Sequence, residues 1–301
     1  MTDYEQIAAK CEEKGIACIL EARLAPYTTF RIGGPCGCLA EPGDVDSIAF
    51  LLKEAYSRMV PVRVIGKGSN LLISDEGIRA CMIYLGPRFA KIERMADNIL
   101  RCEAGASLAS VCRFAAREGL SGMEFAYGIP GSIGGAAYMN AGAYGGEMAD
   151  ILLKCEDLDR TGQTGEVLRQ NMALSYRHSI YMESDRVITN VYLRLRPGDP
   201  ETIQQQMEMF LQKRKEKQPL EYPSAGSTFK RPEGAYASAL IESCGLKGLS
   251  VGGAQVSTKH SGFIINTGNA TCTDVLALIE QVQKRVKEQT GFWLEPEVEI
   301  F

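Results

Sequence analysis

Residues 64–77 read VIGKGSNLLISDEG, and the reading of this stretch decides what kind of fold surrounds it. The Gly66-Lys67-Gly68 spacing suggests a dinucleotide-binding glycine loop. Two requirements of that motif are unmet. The third glycine is missing, with Leu71 in its place, and a short β-type run follows, closed by an Asp-Glu-Gly turn. A Rossmann loop opens a helix, because the helix N-terminus helps hold the pyrophosphate. Here the loop joins strand to strand. Its successive backbone amides, with the side chains of Ser69 and Asn70, can still form an anion-binding nest. A plain tight turn is the simpler alternative.

A second segment, GIPGSIGGAAYMNAGAYGG at 128–146, says more. Seven of its 19 residues are glycine and none is charged, so it is not a solvated linker. Ile129, Ile133, Tyr138 and Met139 mark it as packed. A long uncharged Gly/Ala segment lets backbone approach a flat or extended ligand closely. With strands between them, the two segments suggest a dinucleotide cofactor held by loops rather than by one Rossmann unit.

Helical periodicity surrounds these segments at 3–14, at 44–59 with Asp44 or Asp46 as cap, and at 107–119 with Ser107 as cap and Gly119 as stop. Short β-type runs lie at 60–66, 70–74, 80–85 and 99–105, then at 151–159 and 186–195. RPGDP at 196–200 reads as a boundary, and Pro200 suits the first turn of the helix that follows. Further helices are expected at 235–244 and 272–289. The second of these has a one-sided stripe of Val275, Leu278, Ile279, Val282 and Val286. A β-run at 262–268 lies between them, and EPEVEIF closes the chain as a short alternating strand. The class is α+β, with a larger N-terminal part and a smaller C-terminal one.

The chain has 301 residues, 45% of them hydrophobic, and a formal net charge of −4. No basic block suggests nucleic acid, and no run of 18 apolar residues suggests membrane insertion. The first residues are polar and acidic, unlike a signal peptide. Ten cysteines are scattered through apolar runs without any CxxC, and there are only two histidines, His178 and His260. The cysteines read as small buried hydrophobes, no metal site is expected, and reduced thiols indicate a cytoplasmic protein.

Seven stretches, in order, carry a resemblance: TTFRIGGP (28–35), GKGSNLLISDEG (66–77), GIPGSIGGAAYMNAGAYG (128–145), YRHS (176–179), PSAGSTFKRP (223–232), GGAQVSTKHSGFIIN (252–266) and LEPEVEIF (294–301). Together they resemble the UDP-N-acetylenolpyruvoylglucosamine reductase family, in its shorter branch. The resemblance implies a two-lobed FAD-binding domain of the vanillyl-alcohol-oxidase type at 1–198, with lobes of about 1–80 and 81–198. A smaller α+β substrate domain is implied at 199–301, its last strand packing back on the first domain. FAD would be non-covalent, because no histidine precedes residue 178. Its binding residues would be Arg31, Gly66, Gly68, Ser69, Asn70, Leu71, Gly128, Ile129, Pro130, Gly131, Ser132, Gly134, Gly135, Asn140, Gly142 and Ala143.

The reaction implied is reduction of UDP-N-acetylglucosamine enolpyruvate to UDP-N-acetylmuramate for peptidoglycan. NADPH serves as co-substrate, hydride is delivered from FAD N5, and a serine supplies the proton. Arg177 matches the arginine of the family, and a guanidinium can grip a carboxylate with two parallel bonds. By composition alone it is a surface arginine near a turn. Ser227 matches the proton donor, because a weak acid suffices for a strongly basic carbon. Alone, its Pro/Gly-rich surroundings make it a turn serine. Glu297 matches the glutamate and is expected to be protonated, or to share a proton through Arg177, in the reactive complex. Glu295 and Glu299 are expected to be exposed strand residues. Tyr176, Arg214, Lys215, Lys230 and Arg231 are the candidates for the UDP-sugar, with Lys259 and His260 behind them. The cations of 213–217 also fit a solvated helix end. Another FAD oxidase of this fold, or a non-catalytic nucleotide-sugar-binding protein, are the competing readings.

Overall fold

The computed structural model describes residues Met1–Phe301 and divides into two compact units. The first comprises Met1–Ala22, Gly37–Lys67 and Arg79–Lys213; the second comprises Arg23–Cys36, Gly68–Ile78 and Arg214–Phe301.

The first unit is built on two sheets. One has the strand order Ala17–Leu20, Cys36–Glu41, Ile78–Tyr84, Val62–Ile65, its outer pairs antiparallel at one end and parallel at the other. Helices Asp3–Glu13 and Val45–Ser57 accompany it. Asp44, rather than Asp46, caps the second helix, accepting from Ser47 N at 2.7 Å. The other sheet has the antiparallel order Thr164–Leu168, Leu152–Leu158, Val187–Arg194, Ile99–Glu103, Ile92–Arg94. Helix Leu108–Arg117 begins at Ser107, as its sequence predicts, and stops before Gly119, which is left-handed at φ 66°. One apolar core serves both sheets, running from Ile7 and Leu51 to Leu100, Val111 and Val191. The lobe boundary expected near residue 80 falls inside strand Ile78–Tyr84, whose partners all lie in the first sheet.

The second unit carries an antiparallel sheet of order Ser224–Ser227, Phe263–Asn266, Ala254–Val256, Ser250–Val251, with helices Ala237–Ser243 and Cys272–Thr290. The stripe Val275, Leu278, Ile279, Val282, Val286 is buried throughout, as its spacing predicts. Thr271 and Asp274 form a capping box at the start of that helix, and Gly291 ends it at φ 80°.

The division between units departs from the expected seam at 198/199 in two ways. Residues 199–213 belong to the first unit, because Ile203 and Met207 of helix Pro200–Lys217 are buried in its core. Segments 23–36 and 68–78 belong to the second, because Phe30, Ile32 and Leu72 lie in its core. Asn266 Nδ2 donates to Phe30 O at 3.1 Å, and the Asp75 carboxylate accepts from the backbone amides of Cys272 and Thr273 at 2.8 and 3.0 Å. The last strand, Glu299–Ile300, pairs in parallel with Leu71–Leu72. These pairings join residues about 200 positions apart, which no local pattern reveals. Eight of the ten cysteines are buried, in keeping with their apolar surroundings. No helix is long and apolar enough to cross a membrane.

Candidate active site

The loop of 66–70 does join strand Val62–Ile65 to strand Leu71–Leu72, so the strand-to-strand reading holds. Gly66 lies against the side chain of Ser132, where a Cβ would collide with the hydroxyl. The two glycine segments therefore meet with almost no side chain between them. Gly68 is left-handed at φ 57°, with the backbone of Tyr27 and Thr28 where a Cβ would stand. Asn70 holds the C-terminal residues: its Nδ2 donates to Glu297 O at 3.0 Å, and its carbonyl accepts from Glu299 N at 2.9 Å. Arg31 is exposed at φ 56°, on a segment tied to the second unit's sheet by Thr29 Oγ1 donating to Ser224 O at 2.7 Å.

In the segment 128–146, Ser132 caps the short helix Ile133–Tyr138 through Gly135 N at 3.3 Å. Ile133 N and Gly134 N donate to Ala106 O and Ala104 O at 2.8 and 2.9 Å. The first-turn amides are thus taken up within the protein, and the helix end is no open anion site. Gly134 packs directly on Ala104, with no room for a Cβ. Pro130 and Gly135 are the residues of 128–135 that face outward. Asn140 is fully buried; its Nδ2 donates to Ser175 O and its Oδ1 accepts from Ala149 N, both at 2.9 Å. Its side chain thereby brackets the loop that carries Arg177. Gly142–Ala143 and Gly146–Glu147 then form a hairpin whose two tip residues, Tyr144 and Gly145, both have positive φ, 53° and 85°. Such a pair is the signature of a type I′ turn. Uncharged from Gly128 to Gly146, with Pro130 and Gly135 turned outward, the segment lets a flat ring system approach the backbone closely.

Arg177 occupies a two-residue turn closed by reciprocal bonds between Ser175 and His178, each 3.2 Å. It is itself left-handed, at φ 54°. Its Nη2 donates to Gly142 O at 3.2 Å, and its guanidinium lies 5.1 Å from the ring of the exposed Tyr176. The His178 ring faces Ala173 O at 3.1 Å and Glu183 Oε1 at 2.9 Å.

Ser227 stands on a bulged edge strand, where its sequence suggests a turn. Ser224 pairs with Ile265 and Ser227 with Phe263, so one extra residue is accommodated, and Gly226 takes up the bend at φ 78°. Ser227 is exposed. The next residue anchors it: Thr228 N donates to Gly262 O at 2.8 Å, and Thr228 Oγ1 accepts from Ile264 N at 3.1 Å. Glu297 N donates to Thr228 O at 2.8 Å, and Phe229 pairs with Pro296. The residue next to Ser227 is thus bonded to the backbone of Glu297 within the second unit. The strand expected over EPEVEIF is regular only at Glu299–Ile300. Glu295 is exposed as expected and pairs with Lys230 at 3.4 Å. Glu299 is half-buried instead, and burial pushes its carboxyl above the ordinary carboxylate range.

The candidate cations divide. Arg214 is buried, with Nη1 donating to Gln218 Oε1 at 2.9 Å, while Lys215 is exposed. Arg231 lies over the Tyr236 ring at 4.0 Å. Lys259 Nζ donates to Lys215 O at 2.7 Å and pairs with Glu221 at 3.5 Å. His260 Nδ1 accepts from Gly262 N at 3.2 Å, and burial lowers its basicity. Thr228 and Tyr144, which carry no motif signal of their own, hold the backbone around Ser227 and Gly142.

Residues 36–168 match the FAD binding domain family, which makes the class an FAD-binding protein. Its fold is shared with glucooligosaccharide oxidase from Acremonium strictum, at 10% identity and TM-score 0.50, covering 96% of this chain and 60% of that one. The fold is thus α+β, with a two-lobed FAD-binding domain of the vanillyl-alcohol-oxidase type and a further C-terminal domain. Residues 218–301 match the C-terminal domain of UDP-N-acetylenolpyruvoylglucosamine reductase. Enzymes of that name from Caldanaerobacter subterraneus subsp. tengcongensis and Agathobacter rectalis are each 50% identical, covering 91% of this chain and 90% of theirs. The crystal structure of the Thermus caldophilus enzyme superposes with TM-score 0.81 at 36% identity, covering 95% of this chain and 98% of that one. The chain belongs to the UDP-N-acetylenolpyruvoylglucosamine reductase family, FAD-binding oxidoreductases of peptidoglycan precursor synthesis.

Proposed function

We propose that this protein reduces UDP-N-acetylglucosamine enolpyruvate to UDP-N-acetylmuramate with NADPH as co-substrate, in the cytoplasm, and that Arg177, Ser227 and Glu297 serve the reaction. The glycine segments would hold FAD without a covalent link; Gly66, Gly68, Ser69, Leu71, Gly128, Ile129, Pro130, Gly131, Ser132, Gly134, Gly135 and the hairpin Gly142–Ala143 are the contact candidates. When bound, FAD supplies the hydride chemistry. The protein's own task is then charge and proton management. Arg177, fixed in its turn and permanently charged, grips the substrate carboxylate and stabilises the negative charge that builds beside it. Ser227 donates the proton. Glu297 carries or shares a proton in the substrate complex, which avoids setting one negative charge against another. Lys215, Lys230 and Arg231 are the candidates for the diphosphate.

The observation that carries this reading is the presentation of Ser227. A bulge with a left-handed glycine exposes the hydroxyl, and the residue after it is bonded to the backbone of Glu297. The AGSTF context lacks the nucleophile elbow of an acyl-enzyme serine. The decisive assay is NADPH oxidation by the purified yellow protein, which should depend on the enolpyruvyl substrate. Oxidation indifferent to that substrate would favour another flavin oxidase, and a colourless protein would favour a binding protein that kept the fold.

A further inference from the structure

The hairpin bearing Gly142 is held very differently at its two ends. At the base, Met148 N donates to Ala141 O at 2.9 Å, Glu147 N donates to Asp150 Oδ2 at 2.9 Å, and Gly146 packs on the Phe125 ring. At the tip, Gly145 has open space where a side chain would stand, and Tyr144 is 40% exposed in a left-handed conformation. A non-glycine residue stays in that conformation only where its surroundings over-determine it. The Tyr144 ring lies flat on Phe210, with centroids 4.7 Å apart and planes 6° from parallel. Phe210 in turn sits on helix Pro200–Lys217. It shares a face with Ile203 and Met207, which root that helix in the first unit's core. A rigid, core-anchored ring therefore meets the strained tip.

We propose that Phe210 is a positioning residue for the reaction. By stacking on Tyr144 it fixes the hairpin and so aims the Gly142 carbonyl, which takes one N–H of the Arg177 guanidinium at 3.2 Å. Holding one N–H of the fork at that carbonyl fixes the plane of the guanidinium, and a planar fork can grip a carboxylate only in that plane. This rests on the role of Arg177 proposed above. The chain of contacts is continuous within one unit, from core to helix, ring, hairpin tip, carbonyl and guanidinium. Phe210 touches neither substrate nor cofactor in this scheme, and it is not part of any of the seven motif stretches.

Three variants of the flavin-loaded enzyme test this in separate half-reactions. In Phe210→Ala, reoxidation by the enolpyruvyl substrate should slow roughly threefold to tenfold, the range expected for losing an aromatic pair. The KM for that substrate should rise, while reduction by NADPH stays at the wild-type rate and the melting temperature falls by no more than about 5 °C. Phe210→Tyr, which keeps a stacking ring, should restore reoxidation. A Phe210→Ala enzyme that reoxidises normally while Arg177→Ala is crippled overturns the inference alone, as does a Phe210→Tyr enzyme as slow as the alanine variant. An Arg177→Ala enzyme that reoxidises normally removes the role of Arg177 itself, and the inference falls with it.

Discussion

Arg177 and Ser227 are presented by opposite devices. Arg177 is itself the strained residue, at φ 54° in a two-residue turn, and its side chain is steadied by a carbonyl of another segment. Ser227 is unstrained, because its neighbour Gly226 absorbs the bend at φ 78°. In the first device the functional side chain carries the conformational cost; in the second a glycine does. A long, permanently charged side chain that must be held in one orientation gains from a rigid base. A short hydroxyl has almost no conformational freedom of its own, so its direction is set by the backbone.

The comparison makes its sharpest prediction at the two side chains. Ser227→Ala should leave reduction by NADPH intact and slow reoxidation by substrate about 10³-fold, within the range of general-acid catalysis. Loss of flavin reduction with normal reoxidation would falsify the assignment. Arg177→Lys keeps the charge but loses the planar fork, and should cost about 10²-fold in reoxidation. A lysine variant with wild-type kcat/KM would mean that charge alone matters and that the strained turn serves nothing.

A smaller effect probes the glycine. Gly226→Ala meets no atom within 4 Å, so any effect must come through the backbone. Forcing an alanine into a left-handed conformation costs about 1 kcal/mol. Gly245, at φ 67° with equally open surroundings, is the matched control. Both variants should lose similar stability in urea titrations, but only Gly226→Ala should also slow reoxidation, by about tenfold as Ser227 is re-aimed. Equal kinetics for the two variants would dissolve the distinction between the devices.

The same contrast explains what the sequence made legible. Helix positions, the Ser107 cap, the stripe on helix Cys272–Thr290 and the strand-to-strand nature of the 66–70 loop follow from local pattern, and all are present. Gly226 was visible as a glycine, yet PSAGS reads as a turn because composition does not distinguish a turn from a bulge; only pairing with Ile265 and Phe263 does. The strain at Arg177 and Tyr144 was invisible, since neither residue type favours positive φ. The burial of Glu299 and the membership of 23–36 and 68–78 in the second unit were equally hidden. Each depends on partners about 200 residues away, such as Leu71 for Glu299 and Asn266 for Phe30. The proposed triplet of Arg177, Ser227 and Glu297 was recognisable only as part of an ordered set of motifs.

The smallest expected effect tests whether the Ser227 device answers pH. It has a histidine beside it. His260 faces a donor: its Nδ1 accepts from Gly262 N, and the carbonyl of Gly262 holds Thr228 next to Ser227. Burial first, and the nearby lysines less, lower its basicity. The folded protein therefore favours neutral His260, whereas the unfolded chain binds a proton near pH 6.5. The stability it contributes is present above about pH 6.5 and is lost as pH falls from there through the lowered folded value. His260→Asn should remove that loss, leaving a urea-midpoint profile flatter than wild type between about pH 7 and 5, by less than about 1 kcal/mol. Carboxylates that protonate in the same range are common to both proteins and cancel in the difference. Parallel profiles for the two proteins would show that the Ser227 turn does not use its histidine, and that its device ends at the backbone.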